Sequence, residues 1–318
     1  MNVLSLFDGM SCGRLALERA NIPVTKYYAS EIDKWATKVS DANYPDIIRL
    51  GDINDWKKWD LPKIDLIIAG SPCQGFSFAG KQLAFDDPRS ALFFTFLDIL
   101  NTIKAYNPDV KFMLENVRMK KEHLDVISDK LNVKPAMINS ALVSAQNRVR
   151  YYWCNWNVEQ PDDKGILLKD IIDDSENESI VKDTDRNKRH YRNLDQKSLT
   201  CTATMYKGAG NNGMTLIPKK CNQVGIASDI KGNESIKRIY GTDGKSPCLT
   251  TMGGGHREPK IAMDKTQYRK LTPLECERLQ TVPDNYTNHV SNTQRYKMLG
   301  NGWTVDVIAH ILRGINGY

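Results

Sequence analysis

Ile64-Asp-Leu-Ile-Ile-Ala-Gly-Ser-Pro-Cys-Gln-Gly-Phe-Ser77 is the stretch that decides the fold. Its apolar run from Ile64 to Ala69, broken only by Asp65, reads as a strand buried on both faces of a parallel sheet. Gly70-Ser71-Pro72 ends that strand and lifts Cys73 onto a loop at the sheet's carboxyl edge, where open α/β sheets place their ligands. Pro72 fixes its own φ and restricts Ser71, so the thiol sits on a stiff turn. A lone cysteine is most often a small core hydrophobe. A Pro-Cys-Gln turn after a hydrophobic strand is a poor place for one, which makes Cys73 the candidate nucleophile.

Working outward, the residues before Cys73 read as a Rossmann-like half. Val3 to Phe7 is a strand, Asp8-Gly-Met-Ser-Cys-Gly13 a turn, and Arg14 to Ala20 a helix whose N-terminus faces a ligand. The turn is not G-x-G-x-x-G, and alone it says little about a cofactor. Tyr27 to Glu31 forms a second strand ending in an acid, the position that holds ribose hydroxyls in nucleotide-type sites; a helix N-terminal acid is the equal alternative. Ile47 to Leu50, followed by Gly51-Asp-Ile53, is a third strand end, with a carboxylate for an adenine amino group. Phe7, Glu31 and Asp52 together outline an adenosine pocket.

Beyond Cys73, residues Gly75 to Arg89 make a loop long enough to move over a substrate. Ala91 to Ala105 is a helix packing Leu92, Phe93, Phe96, Leu97 and Leu100. Val110 to Val117 is the next strand, with Glu115 and Asn116 at its end. Glu115 is a candidate acid or, equally, a helix cap. In Gln146-Asn-Arg-Val-Arg-Tyr-Tyr-Trp153, Arg148 and Arg150 share one strand face, and two like charges so placed call for an anion or a carbonyl between them.

At 318 residues the chain is long enough for one large domain and a smaller one. Its 44 Lys+Arg and 38 Asp+Glu give a net charge of +6. Residues 176–268 hold 16 basic and 10 acidic residues, leaving 28 of each elsewhere, so the whole surplus falls in one internal segment. That distribution fits a module that reads a polyanion, or an ordinary solvated surface. Seven cysteines without a C-x-x-C pair argue against a zinc site or a disulfide framework, and a free thiol suits a reducing cytoplasm. The N-terminus lacks a secretory signal and no run of ~18 apolar residues exists, so no membrane span is expected.

Phe7-Asp-Gly-x-x-x-Gly13, Ser71-Pro-Cys-Gln74, Glu115-Asn-Val117 and Gln146-x-Arg-x-Arg150 occur in an order that resembles the cytosine-C5 DNA methyltransferases. Arg269 to Gln280 is similar to that family's ninth motif, and Gly300-Asn-Gly302 with the helix Val305 to Leu312 to its tenth. The layout resembles short bacterial and phage enzymes, with local likeness to the vertebrate de novo enzymes. Ser11-Cys12 stands where the family commonly has Gly, and Gly302 where many relatives have Ser or Ala.

The resemblance implies an α/β fold: a Rossmann-like S-adenosylmethionine-dependent methyltransferase sheet with a smaller, mostly β and loop target-recognition domain. Its expected divisions are 1–175 catalytic, 176–268 target recognition, and 269–318 completing the catalytic domain. It implies that Cys73 adds to C6 of a flipped cytosine, Glu115 serves N3, and Arg148 and Arg150 hold O2. S-adenosylmethionine contacts would fall on Phe7, Asp8, Gly9, Gly13, Glu31, Ile32, Asp52, Ile53, Pro72, Leu92, Asn301 and Gly302. Gln74, Ser77, Lys81, Arg89, Arg238, His256 and Arg257 are the candidate contacts to double-stranded DNA. The middle segment carries an approximate repeat, Lys197 to Met205 and Lys245 to Met252, each followed by glycines. No metal and no membrane are expected. The expected setting is the cytoplasm of a bacterial or phage-infected cell, as a monomer or weak dimer, in restriction-modification with a possible cognate endonuclease or in phage self-protection. A transfer-RNA cytosine methyltransferase and a catalytically inactive DNA-binding regulator are the alternatives; intact Cys73, Glu115, Arg148 and Arg150 argue against the second.

Overall fold

The computed structural model describes residues 1–71, 91–171, 195–203 and 268–316, with residues 173, 190, 192 and 214 and short strand pieces at 216–218, 223–226, 238–240 and 260–261. Cys73, Pro72, Gln74, Ser77, Lys81, Arg89, His256 and Arg257 lie outside the described residues. Arg238 falls in a strand of which only the backbone is described.

Seven strands form one sheet: β1 (Asn2–Leu6), β2 (Lys26–Ser30), β3 (Ile48–Gly51), β4 (Leu66–Gly70), β5 (Lys111–Val117), β6 (Ala136–Asn139) and β7 (Val149–Cys154), in the order β3-β2-β1-β4-β5-β7-β6. Neighbours from β3 to β5 pair in parallel. At one edge the sheet is mixed: β7 inserts between β5 and β6 and runs antiparallel to both. Strand order reverses between β1 and β4, and ligands bind outside the strand ends at such a switch point.

The sequence of β4 explains its central place. Leu66 and Ile68 pack into the core on one face, Ile67 and Ala69 into the core on the other, all fully buried. The first face carries α1 (Cys12–Arg19) and α7 (Val305–Arg313); the second carries α3 (Ala91–Tyr106) and α4 (Lys121–Leu131). Alternate residues serving opposite layers is what a strand's period of two requires.

Helix ends follow local capping chemistry. Asp33 caps α2 (Lys34–Asn43) by accepting from the Trp35 and Ala36 amides. Thr272 and Glu275 form a capping box around α5 (Pro273–Leu279), with Pro273 in the first turn, where a missing N–H costs nothing. Helix α6 (Asn292–Asn301) follows, and the chain returns through Gly302 to α7 beside α1, joined there by the Arg19–Asp306 ion pair at 2.7 Å. The C-terminal segment therefore closes the layer that the first helix opens. No described helix is long and apolar enough to cross a membrane.

Residues 195–203, inside the segment expected to read a target, are stitched to the large sheet layer. Ser198 bridges Gln146, its amide donates to the Ala145 carbonyl at 2.6 Å, and its carbonyl accepts from the Asn147 amide at 3.0 Å. The first copy of the repeat thus begins as an extended strip along Ala145–Arg148. The backbone pieces further on pair as β8 (Leu216–Pro218) with β12 (Tyr268–Lys270), and as β9 (Gln223–Ile226), β10 (Arg238–Tyr240) and β11 (Lys260–Ile261).

Candidate active site

A cavity of about 410 Å³ opens at the switch point, within the size range of small-molecule sites. The ends of β1, β2 and β3 give it Phe7, Gly9, Glu31, Ile32, Asp52 and Ile53. α3 gives Leu92, β5 gives Glu115 and Asn116, and the return to α7 gives Asn301, Gly302 and Trp303. The three strand-end residues read as an adenosine pocket are therefore brought together, joined by the C-terminal return from the far end of the chain.

The turn after β1 is wound tightly. Phe7, Gly9 and Ser11 all have positive φ, at 59°, 60° and 64°, a conformation that costs most residues roughly 1–2 kcal/mol. Asp8 holds it together: its carboxylate accepts from Ser5 Oγ at 2.6 Å, Tyr27 Oη at 2.8 Å and Ser11 Oγ at 2.5 Å, with Arg49 Nη1 3.6 Å away. Burial pushes the Asp8 carboxyl above the usual carboxylate range, against those hydrogen bonds. Asp8 is among the residues lining the cavity, while its carboxylate has no exposed surface and is engaged inside the turn. Gly13 is placed differently. It does not line the cavity; a Cβ there would run into Ile68 and stand 2.9 Å from the Tyr27 hydroxyl, so its small size serves packing.

Glu31 uses its carboxylate locally too, accepting from the Gly9 amide at 2.8 Å, the Ile32 amide at 2.8 Å and the Asp33 amide at 2.7 Å. It clasps the β1 turn to the β2 end while still facing the cavity; the helix cap is Asp33 instead. Ile32 is 75% exposed at the rim, an apolar surface suited to a flat ring. Asp52 caps a 3-10 turn at Ile53–Lys58 through the Asn54 amide. Gly302 has little free space beside it, a Cβ lying 3.0 Å from both Met10 Cε and the Met298 carbonyl oxygen.

Glu115 sits in β5 opposite Gly70 of β4, one residue before Ser71 and three before Cys73. It is not a helix cap. One carboxylate oxygen is 3.0 Å from Arg150 Nε and the other accepts from Trp303 Nε1 at 3.1 Å. Asn116 donates to Ser71 Oγ at 3.0 Å, so β5 also holds the start of the cysteine loop. Trp303 was not legible in the sequence as a site residue. The only signal was its place directly after Gly300-Asn-Gly302.

The two arginines part company. Arg150 meets the expected anion, Glu115. Arg148 meets carbonyls, but they are the chain's own: Cys201 O at 2.8 Å, Gly300 O at 3.3 Å and Gly302 O at 2.9 Å. Buried at 3% exposure, it braces these segments of backbone while still lining the cavity. Burial, with the nearby Arg150 charge, lowers its pKa to about 10, so it stays cationic at neutral pH.

Among the described cysteines none is a reactive candidate, because Cys12, Cys154, Cys201 and Cys276 are all buried. Cys12 borders the cavity, yet burial pushes its thiol up to about 12, leaving almost no thiolate at neutral pH. Burial also pushes the Cys154 thiol up. Among the described residues no group of His, Cys, Asp or Glu is arranged to hold a metal.

The family model described as C-5 cytosine-specific DNA methylase matches residues 1–317. The Type II methyltransferase M.HhaI of Haemophilus parahaemolyticus is 31% identical, over 99% of this chain and 94% of its own length. The Orphan methyltransferase M.Rho11sI of Bacillus phage rho11s is 29% identical over 83% of this chain and 69% of its own length. Among solved structures, the S. pombe Dnmt2 methyltransferase superposes with a TM-score of 0.63, covering 98% of this chain and 97% of that one, at 17% identity. At that identity the likeness speaks for the fold, a methyltransferase sheet.

Proposed function

We propose that this chain, which belongs to the C-5 cytosine-specific DNA methylase family and is a DNA cytosine-C5 methyltransferase, divides its reaction between a cofactor cavity at the β1–β4 switch point and Cys73, two residues beyond Ser71 of the cavity wall. The observation that carries the reading is Glu115, held by Arg150 and Trp303 at a cavity wall opposite the strand that leads to Cys73.

S-adenosylmethionine fits the residues present. The cavity has the necessary size, an exposed Ile32 face for the adenine, and the Glu31 and Asp52 carboxylates at successive strand ends for hydroxyl and amino donors. Phe7, Gly9, Ile53, Leu92, Asn301 and Gly302 would complete the contacts, with Pro72 from the loop. Asp8, which lines the cavity, and Gly13 would add the turn side of the site. When bound, the cofactor supplies an electrophilic methyl group.

The chain's own residues prepare the other partner. Cytosine C5 is too poor a nucleophile unaided, and the Cys73 thiolate adding to C6 forms an enamine with electron density at C5. Glu115 faces N3 and relieves the charge that builds on the ring. Arg150 keeps that carboxyl in place and holds the O2 carbonyl. Once C5 carries the methyl group, a base removes the C5 proton, the C5–C6 double bond re-forms and Cys73 leaves from C6. The target base must leave the duplex stack for this, at about a few kcal/mol. Gln74, Ser77, Lys81 and Arg89 would serve the opened helix from the loop. Residues 176–268, with Arg238, His256 and Arg257, would read the target, between catalytic segments 1–175 and 269–318. Double-stranded DNA is then the partner, and the relatives' type II and orphan names support protection of DNA with or without a cognate endonuclease.

Bisulfite sequencing of DNA from cells expressing the chain tests this, with Cys73→Ala as control. Protected cytosines in one short context, absent in the control, are expected. Protection persisting in Cys73→Ala would remove the nucleophile assignment, and unprotected DNA with protected transfer RNA in a parallel bisulfite read of the RNA would move the substrate.

A further inference from the structure

The Trp303 indole is fixed from every side. Its ring lies between two glycines: a Cβ on Gly13 would stand 3.3 Å from its Cζ3, and one on Gly70 would stand 2.9 Å from its Nε1. The preceding carbonyl, of Gly302, accepts from Arg148 at 2.9 Å. The next residue, Thr304, donates its hydroxyl to Gln280 Oε1 at 2.9 Å. An indole so held has one polar atom to spend, and it spends it on Glu115.

A glutamate's terminal torsion is broad and roughly two-fold, so a carboxylate with a partner on one oxygen still swings. Glu115 has the Arg150 guanidinium as an ion-pair partner beside one oxygen, while the hydrogen bond to the other comes from Trp303. The indole N–H is therefore the directional contact that fixes the plane of the group. Catalytic groups need placement within about 0.5 Å and 10–20°. We infer that Trp303 is a positioning residue: its indole N–H orients the Glu115 carboxyl toward N3 of the target base, and Gly70 and Gly13 are glycines partly to seat it. The inference rests on the proposed role of Glu115 and adds to it the residue, from the C-terminal return, that makes that acid competent.

The test uses the full-length enzyme with ¹⁵N-labelled tryptophan. The chain has six tryptophans, and Trp303→Phe, which keeps an aromatic ring but loses the N–H, identifies the Trp303 indole cross-peak by its absence. Glu115→Gln should shift that cross-peak while the others stay in place and report an intact fold. In steady-state turnover Trp303→Phe should lower kcat about ten-fold, as loss of a hydrogen bond to a charged group does, with KM for DNA and for S-adenosylmethionine nearly unchanged. The same substitution in a Glu115→Gln background should add nothing. Gly70→Ala, which keeps the indole but displaces it, should move the same cross-peak and reproduce the kcat loss. A Trp303 cross-peak indifferent to Glu115→Gln would overturn the inference. So would a loss carried in KM for S-adenosylmethionine, which would make the indole a cofactor contact. Wild-type turnover in Glu115→Gln would instead remove the role of Glu115, and the positioning role with it.

Discussion

Arg148 and Arg150 stand two residues apart on one face, yet the structure gives them different work. Arg148 ties Cys201, Gly300 and Gly302, three backbone carbonyls from segments distant in sequence. A lysine cannot span three acceptors with one ammonium. Arg148→Lys should therefore cost about 2–4 kcal/mol in urea unfolding, through buried carbonyls left without donors. Arg150→Lys keeps a cation near Glu115 and should cost less than about 1 kcal/mol in the same measurement while lowering kcat. The reverse pattern, a fragile Arg150→Lys beside a sturdy Arg148→Lys, would exchange the two roles. The sequence announced that each arginine needed an anion or a carbonyl. It did not announce whose, because the carbonyls belong to residues more than fifty positions away, brought in by the fold.

At the level of elements, the readable features were those with a local cause. The buried run of β4, the glycine-containing turn after β1 and the amphipathic α7 each follow from hydrophobic period or backbone freedom. The antiparallel β7 was less legible, since its reversal depends on a connection through β6. Trp303 and the burial of Asp8 depend on the return of the C-terminal segment and on packing between layers. Gly13 shows the same limit: the motif suggests a ligand contact, and the structure adds a tight packing contact that the sequence could not display. Gly13→Ala should destabilise the protein by about 1–3 kcal/mol, because the added methyl meets Ile68 and the Tyr27 hydroxyl inside a full core. Thermal unfolding would measure this. A variant as stable as the parent, but with weakened S-adenosylmethionine binding, would return Gly13 to the cofactor site.

For the whole molecule, the chain begins and ends in the same layer. Helix α7 buries Val305, Val307, Ile308, Ile311 and Leu312 against a core shared with α1, and Trp156 Nε1 donates to the Ile311 carbonyl at 3.0 Å. The same return places Asn301, Gly302 and Trp303 at the cavity. Removing residues 269–318 would uncover the apolar face of α1 and β4 and open the cavity wall at once. At about 25 cal/mol per Å² of apolar surface, losing one such helix outweighs the 5–15 kcal/mol by which domains are stable. A 1–268 fragment should thus aggregate or bind hydrophobic dyes, without a cooperative unfolding transition. Adding a separately produced 269–318 segment during refolding should restore both the transition and S-adenosylmethionine binding, if the two parts form one cooperative unit. A 1–268 fragment that stays monomeric, melts sharply and binds S-adenosylmethionine would show that the first segment is a domain in its own right. The C-terminal return would then be an accessory to the site rather than part of the fold.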